Sequence, residues 1–376
     1  MSYDVAVVGA GILGLAHALA AARLGKRVVV VERDAFAVGA SIRNFGFVTV
    51  TGQAAGDCWR LARRSRDVWA EVAAAARIPV LHEGLLVTAR YPEAEPVIDA
   101  FLATEMGSEC RRLTAEEARR RCPALRTNGL AAALHSPHEI RVESRDAIPA
   151  LAAWLAEAHG VEFRWSTMVH AVDTPVLETS RGRIEAQTVI VCPGDNYQGL
   201  FPERIAAYAP TRCKLQMLRV MPERPVTLGQ AVMSDHGLAR YHGYADLPQA
   251  QALKDRLDAE EAGKRTNGVH LIVVQSADGS LVVGDSHHYG ETLDPFVRDD
   301  INALILDEFD TVLDTGARRI SESWIGTYAS AGDRWRFTDA PDDATRVVVV
   351  TAGCGASTAF GIGEETINGL FGSTGA

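Results

Sequence analysis

Apolar residues run unbroken in three stretches of the chain and alternate with polar ones in several others, and this contrast lays out the fold. Residues 3–8 end in Val5-Ala6-Val7-Val8 and residues 27–31 in Val28-Val29-Val30-Val31, while residues 346–351 repeat the pattern as Arg346-Val347-Val348-Val349-Val350-Thr351. Such runs are strands covered on both faces, the signature of a parallel sheet between helix layers. Residues 183–194 pass from alternation into another such strand, and 161–165 make a further short one. By contrast, alternation dominates 208–220 and 269–289, as in antiparallel strands when one face meets a cavity or a helix layer. Residues 81–89 and 130–142 read as extended segments, and 320–327 as a strand.

Helical periods fill the gaps. Residues 55–76 carry an apolar stripe of Trp59, Leu61, Ala62, Val68, Trp69 and Val72, with Arg60, Arg63, Arg64 and Arg66 mainly on the solvated side. Further helices are predicted over 92–106, 145–159 and 299–315, with a surface helix over 246–267. A capping box from Thr114 to Glu117 opens a short helix that Pro123 stops. Residues 40–47 have neither period and read as a loop.

The chemistry begins where the first strand stops. Gly9-Ala10-Gly11-Ile12-Leu13-Gly14 follows Val8, and an Ala/Leu-rich helix follows Gly14. The glycines permit the tight turn, close approach of a pyrophosphate and helix–strand packing, and the helix N-terminus faces negative charge. Glu32 ends the second strand 18 positions past Gly14, where an acid accepts hydrogen bonds from a ribose. Strand, turn, helix, strand and acid together predict an ADP-binding unit, and leave open whether the dinucleotide is FAD or NAD. At the other end, the strand at 346–351 runs into Gly353, Gly355, Gly361 and Gly363 and then a helix to 370, a second anion-facing turn without the GxGxxG spacing. Two distant pieces of chain therefore build one cofactor site, with the antiparallel segment inserted between them.

Composition narrows the partners. The 376 residues carry a net charge of −10 and no basic run long enough to track phosphates, which disfavours nucleic acid. Six cysteines show no metal-ligand spacing, so no metal is expected and the thiols read as reduced. The apolar start lacks a basic leader and no apolar run reaches 18 residues, so the expectation is a cytoplasmic protein without a membrane span.

The layout resembles the FAD-dependent amine and amino-acid oxidases of the glycine oxidase, sarcosine oxidase and D-amino acid oxidase superfamily. Three motifs carry the likeness: Gly9-x-Gly11-x-x-Gly14 with Glu32, the strand 189–194, and the terminal turn 353–363 before the last helix. The resemblance implies a Rossmann-like, GR2-type α/β FAD-binding domain with an inserted α+β substrate domain on a mostly antiparallel sheet. The corresponding division is 1–80, 145–207 and 320–376 for the cofactor and 81–144 with 208–319 for the substrate. It implies FAD rather than NAD, with electrons coming from an organic substrate and dioxygen as acceptor. Non-covalent attachment is expected, because the stretch Trp324 to Ser330 lacks the cysteine by which sarcosine oxidases tether the flavin. Glycine and D-amino acid oxidases place a carboxylate-clamping arginine in that stretch, where this chain has Tyr328.

Ser41-Ile42-Arg43-Asn44-Phe45-Gly46 and Gly284-Asp285-Ser286-His287-His288-Tyr289-Gly290 look like one branch of the superfamily, the FAD-dependent oxidoreductases of bacterial phosphonate catabolism. The substrates this implies are 2-aminoethylphosphonate and its N-methyl derivative, small anionic amines. A flavin dehydrogenase serving a quinone or carrier, a hydroxy-acid oxidoreductase and a non-enzymic FAD-binding protein are the competing readings.

Candidate cofactor contacts are Gly9, Gly11, Ile12, Leu13 and Gly14 in the first turn and Glu32, Arg33 and Ser41 just beyond the second strand. Val169, Pro193 and Gly194 join them, with Gly353, Gly355, Ala356, Ser357 and Thr358 in the last turn. Arg43 and Asn44 serve flavin or substrate. Candidate substrate contacts are Lys214 and Gln216 on one strand face, Tyr241 and His242 after a turn, one of His287 and His288, and Trp324 with Tyr328 as walls. Arg43, Lys214 and a histidine are the expected anion binders. No acid–base residue is evident, and nothing adjacent in sequence activates Cys354.

Overall fold

The structure, a computed structural model, describes residues 2–372. Ser2–Val8 lies at the heart of an eight-stranded sheet, parallel to Val28–Val31 on one side and to Gly182–Val191 on the other. Glu162–Arg164 extends it beyond Val28–Val31, and Thr345–Val350 beyond Gly182–Val191, both in parallel. The buried valines predicted from the unbroken runs are almost all inaccessible, as a sheet covered on both faces requires. Three strands were not legible in the sequence. Arg336–Asp339 pairs antiparallel at the sheet edge, and the hairpin of Val169–Asp173 with Val176–Thr179 extends Gly182–Val191. Their alternation is too short, or too interrupted by charge, to carry a period.

The helices Ile12–Arg23 and Ser144–His159 cover one face of this sheet, and Gly355–Phe371 packs between Ile12–Arg23 and Asp57–Ala75. The approach is close enough that a Cβ on Gly363 would lie 2.8 Å from the backbone of Ala16. On Asp57–Ala75, Ser65 Oγ accepts the Gly361 amide at 2.9 Å.

A ten-stranded, mostly antiparallel sheet forms the second layer, running from His288–Gly290 through Thr211–Pro222, Leu281–Gly284, Ile272–Gln275, Ala231–Met233, Val80–Ala89 and Ala132–Val142 to Phe47–Val48. Only Ala231–Met233 with Val80–Ala89 is parallel. The predicted strand at 320–327 is longer, Arg318–Ser330, and pairs along the whole of Thr211–Pro222. Its hydrogen bonds thus belong to the second sheet, whereas the division expected from sequence put residues from 320 onward with the cofactor part. The loop expected at 40–47 holds a 3-10 turn, Ala40–Ile42, and the first residue of Phe47–Val48.

Two helices differ from expectation. The period over 92–106 yields Ala94–Leu102 and then a separate 3-10 turn, because Thr104 turns its hydroxyl and amide back onto Phe101 O. The stretch 246–267 breaks at Glu261 into Ala250–Glu260 and Ala262–Thr266, and it is no simple surface helix. Leu253, Leu257 and Lys264 are buried. Lys264 Nζ meets Glu308 at 2.9 Å, and Arg90 bridges Glu308 at 3.0 Å and Asp235 at 3.1 Å. Burial pushes the Glu308 carboxyl up, but Arg90 and the other cations outweigh it and bring it down to about 2.

Candidate functional site

The first turn needs its glycines for measurable reasons. Gly9 has φ +105°, and a Cβ there would lie 2.6 Å from Cys192 O; one on Gly14 would lie 1.9 Å from Gly9 O. Glu32 is fixed at the tip of its strand, its Oε2 accepting the Ala10 amide at 2.8 Å and its Oε1 the Asp34 amide at 3.1 Å. Ser41 Oγ accepts the Ile12 amide at 2.9 Å, binding the loop to the helix N-terminus. The last turn lies over the ring of Tyr328, 3.1 Å from where a Cβ on Gly353 would be. Ser357 Oγ accepts the Thr49 amide at 2.9 Å, so this turn is tied to the strand region after the loop.

Both turns open into one cleft of about 810 Å³ that reaches from Glu32 to His270. Its nucleotide end is mainly backbone and glycine with Glu32 at the strand tip, the groups a pyrophosphate and ribose require. The far end lies on the second sheet and is built of side chains: Arg240, Tyr241, His270, Asp285, His287 and Tyr328, with Tyr289 at the rim. Arg240 Nη2 donates to Tyr289 Oη at 2.8 Å and has no carboxylate within ion-pair distance among the described residues. Burial works against its charge, but Tyr289, Tyr328 and Asp285 hold the guanidinium above the ordinary arginine range. Burial pushes the Asp285 carboxyl up to about 8, against the opposing pull of Arg240. Burial, and then Arg240, drive His270 and His287 well below the usual histidine range, so both are neutral at pH 7.

The residues expected at the cofactor line the nucleotide end, with one exception. Gly9, Gly11, Ile12, Leu13, Gly14, Glu32, Arg33 and Ser41 face the cleft, as do Val169, Pro193 and Gly194. Gly353, Gly355, Ala356 and Ser357 do so from the last turn. Thr358 does not; its hydroxyl donates to Cys354 O at 2.9 Å inside the helix. Arg43 and Asn44 both reach the wall. The Asn44 amide is already spent on structure: it donates to Ala40 O at 2.8 Å and accepts from the Gly46 amide at 2.7 Å and from Ser144 Oγ at 2.8 Å.

The expected substrate contacts divide. Tyr241, His242, His287 and Tyr328 line the cleft, His242 beside Asp246 at 3.2 Å. Lys214, Gln216, His288 and Trp324 do not. Lys214 Nζ is buried against Asp294 at 2.7 Å, and Gln216 is held by Arg298 O and Asn302, both at 2.9 Å. Strand alternation put them on one face, but it is the face under the helix Asp299–Val312. His288 turns to Asn267 at 3.0 Å, and Trp324 donates to Arg43 O at 3.1 Å while packing into the second-sheet core.

Sequence reasoning missed Arg240, His270, Asp285 and Tyr289 as a group. Arg240 precedes Tyr241 without a regular period, and His270 precedes the strand Ile272–Gln275 while Asp285 follows Leu281–Gly284, so only the antiparallel pairing of those strands brings the two side chains together. Asp285 stood in the quoted motif, beside the His287 that was singled out. Cys354 also has an unforeseen neighbour: the Cys58 thiol, which donates to Gln53 Oε1 at 3.6 Å, holds Cys354 below the ordinary cysteine range while itself being pushed up.

Solved structures share this architecture. L-proline dehydrogenase from P. horikoshii superposes with a TM-score of 0.79 at 18% identity, covering 98% of this chain and 93% of its own. Glycine oxidase from Bacillus cereus ATCC 14579 gives 0.76 at 16% identity, covering 98% and 95%. In sequence, glycine oxidase of Geobacillus kaustophilus (strain HTA426) is 26% identical over 205 residues, 51% of this chain and about half, 54%, of that protein. No helix among the described residues is long and apolar enough to cross a membrane. The family model for FAD dependent oxidoreductases, DAO, matches residues 4–368, and this chain belongs to that family, with FAD as its cofactor.

Proposed function

We propose that this protein oxidises a small amine that also carries an anion, with 2-aminoethylphosphonate and N-methyl-2-aminoethylphosphonate as its substrates, and passes the electrons to dioxygen. The observation that carries the reading is Arg240: a cation on the wall of the cleft's far end, hydrogen-bonded to a neutral phenol and lacking a carboxylate partner. A charge held away from bulk water without a counter-ion is costly, and an anionic ligand relieves that cost. The superfamily's arginine position holds Tyr328, so Arg240 supplies the cation from a different element. The names of the relatives, glycine oxidase and L-proline dehydrogenase, both denote amino-acid oxidation and support a nitrogen-bearing substrate.

In this reading Glu32 takes the ribose, the turns at 9–14 and 353–357 take the pyrophosphate and the flavin, and Arg43 stands between flavin and substrate. FAD, held non-covalently, supplies the two-electron acceptor. The chain's own part is to bind the anion, point the carbon beside nitrogen at the flavin end and exclude water beneath Tyr328 and Tyr241. Anaerobic mixing of the yellow protein with a panel of amines tests it. Bleaching by aminoethylphosphonates, and hydrogen peroxide on readmission of air, is the expected result. Bleaching by hydroxy acids and not by amines would overturn it, as would reduction without peroxide for the choice of acceptor.

A further inference from the structure

We propose that Asp285, with His270 beside it, is the catalytic base that removes the ammonium proton of the substrate before it is oxidised. This rests on the reading that the substrate is an amine. A protonated amine has no lone pair to support positive charge at the neighbouring carbon, so the proton must leave first, and the far end of the cleft must take it.

The geometry is that of a waiting acceptor. Asp285 and His270 are 4% and 3% exposed and both line the cleft. Asp285 Oδ1 lies 3.2 Å from His270 Nδ1, yet that oxygen and both ring nitrogens of His270 have no hydrogen-bond partner among the described residues. Buried polar atoms are rarely left so, and here they face a cleft. The backbone holds the pair in place, with amides of His270 and Asp285 donating to each other's carbonyls at 3.2 and 3.0 Å. His287 Nδ1 is engaged with Gly268 O at 2.9 Å, and its Nε2 stands 3.8 Å from Asp285 Oδ2. The other groups facing Asp285 are the Arg240 guanidinium, the Tyr241 phenol and the Cys213 thiol, with His236 behind His270. Burial holds Tyr241 and Cys213 neutral, which leaves Asp285 as the group that changes charge near neutrality. Its displacement to about 8 brings it close to an aliphatic amine in basicity, where proton transfer is efficient. The donor atoms of His270, Asp285 and His287 lie within 4.8 Å of one another and could hold a cation, but the neighbouring guanidinium opposes a divalent ion more strongly than it opposes a single proton.

The balance is simple. The N–H bond breaks and its proton joins the Asp285 carboxylate, leaving the lone pair on nitrogen. Bound FAD would supply the two-electron oxidant: the adjacent C–H bond would break with its electron pair leaving as hydride to that acceptor, and the amine would become an iminium. Water adds to the iminium, which releases the carbonyl compound and the nitrogen fragment.

The test is the pH dependence of anaerobic flavin reduction by 2-aminoethylphosphonate, measured by stopped flow from about pH 6 to 10. The wild-type limiting rate should rise with pH and level off above about 8. In Asp285→Asn the limiting rate should fall roughly 100-fold or more, and the rise should move to the free amine's own pKa. His270→Gln, which keeps the carboxylate, should fall between the two with a shifted inflection. It decides the matter if the asparagine variant fails to retain FAD. An unchanged profile and limiting rate in these variants overturns the proposal and leaves the amine reading intact. Failure of every amine to reduce the wild-type flavin overturns the amine reading instead. A stoichiometric divalent metal in the purified protein, whose removal by chelator abolishes reduction, overturns the base in favour of a metal centre.

Discussion

At the nucleotide end of the cleft the binding surface is backbone, and at the far end it is side chains. The first is specified by where a side chain must be missing: a Cβ at Gly14 would collide with Gly9 O, and one at Gly9 with Cys192 O. The second is specified by which side chains meet from separate segments, as His270 and Asp285 do just beyond the ends of two paired strands. A site made of backbone survives sequence change everywhere except at its glycines. A site made of side chains can change its ligand with one substitution and leave the fold alone. The difference teaches where to look for cofactor identity and where for substrate choice.

Several experiments would break or sharpen that contrast. The largest effect should come from Gly14→Val, which forces apart the turn and the first helix; the purified variant should be colourless, and bound FAD at wild-type stoichiometry would show that the backbone cradle is not the binding site. Next is Glu308→Gln. Removing one partner from the buried cluster with Arg90 and Lys264 should cost on the order of 3–5 kcal/mol in denaturant unfolding and loosen the segment that carries Arg240. The same carboxylate predicts an acid limb. Its folded value, about 2, lies below the unfolded value of 4.5, so its contribution is present above pH 4.5 and is lost as the pH falls toward 2. Arg240→Met should raise the KM for the anionic amine roughly 10- to 100-fold, from about 1.5–3 kcal/mol for a charged hydrogen bond, and leave an uncharged amine nearly unaffected. An equal loss for both amines would assign Arg240 to the fold. Gly363→Ala should cost about 1–3 kcal/mol by overpacking the helix interface, seen as a lower melting temperature with FAD still bound. The smallest effect belongs to Lys214→Met: its ammonium is committed to Asp294, so the KM should stay within about twofold, since such a half-exposed pair is worth under about 1 kcal/mol.

The sequence made the nucleotide end legible because glycine spacing, apolar runs and a terminal acid are local signals. Glu32 and the two turns came directly from them. The far end was less legible for a reason visible in Lys214 and Gln216. Alternation correctly placed both on one strand face, but only the packing of Asp299–Val312 shows that this face is covered by a helix and not by the cleft. Trp324 illustrates the same limit, since its ring fills core and its indole N–H is spent on Arg43 O. Asp285 lies in the segment 284–290, yet its significance depends on His270, which lies fifteen positions earlier and is brought alongside by the pairing of Ile272–Gln275 with Leu281–Gly284. The break at Glu261 escaped notice because the composition of 246–267 looked uniformly solvated, whereas Lys264 is buried among acids.

The cluster of Arg90, Asp235, Glu308 and Lys264 has a consequence for how this protein could diversify. Asp235 opens the short stretch that ends in Arg240 and Tyr241, and Arg90 pins it from below through both its amide and its guanidinium. The stretch is therefore moored by ions that no ligand touches. Replacements at its tip, at Arg240 or Tyr241, can reshape the far end of the cleft while the mooring stays intact, so the lining can change without the scaffold being rebuilt.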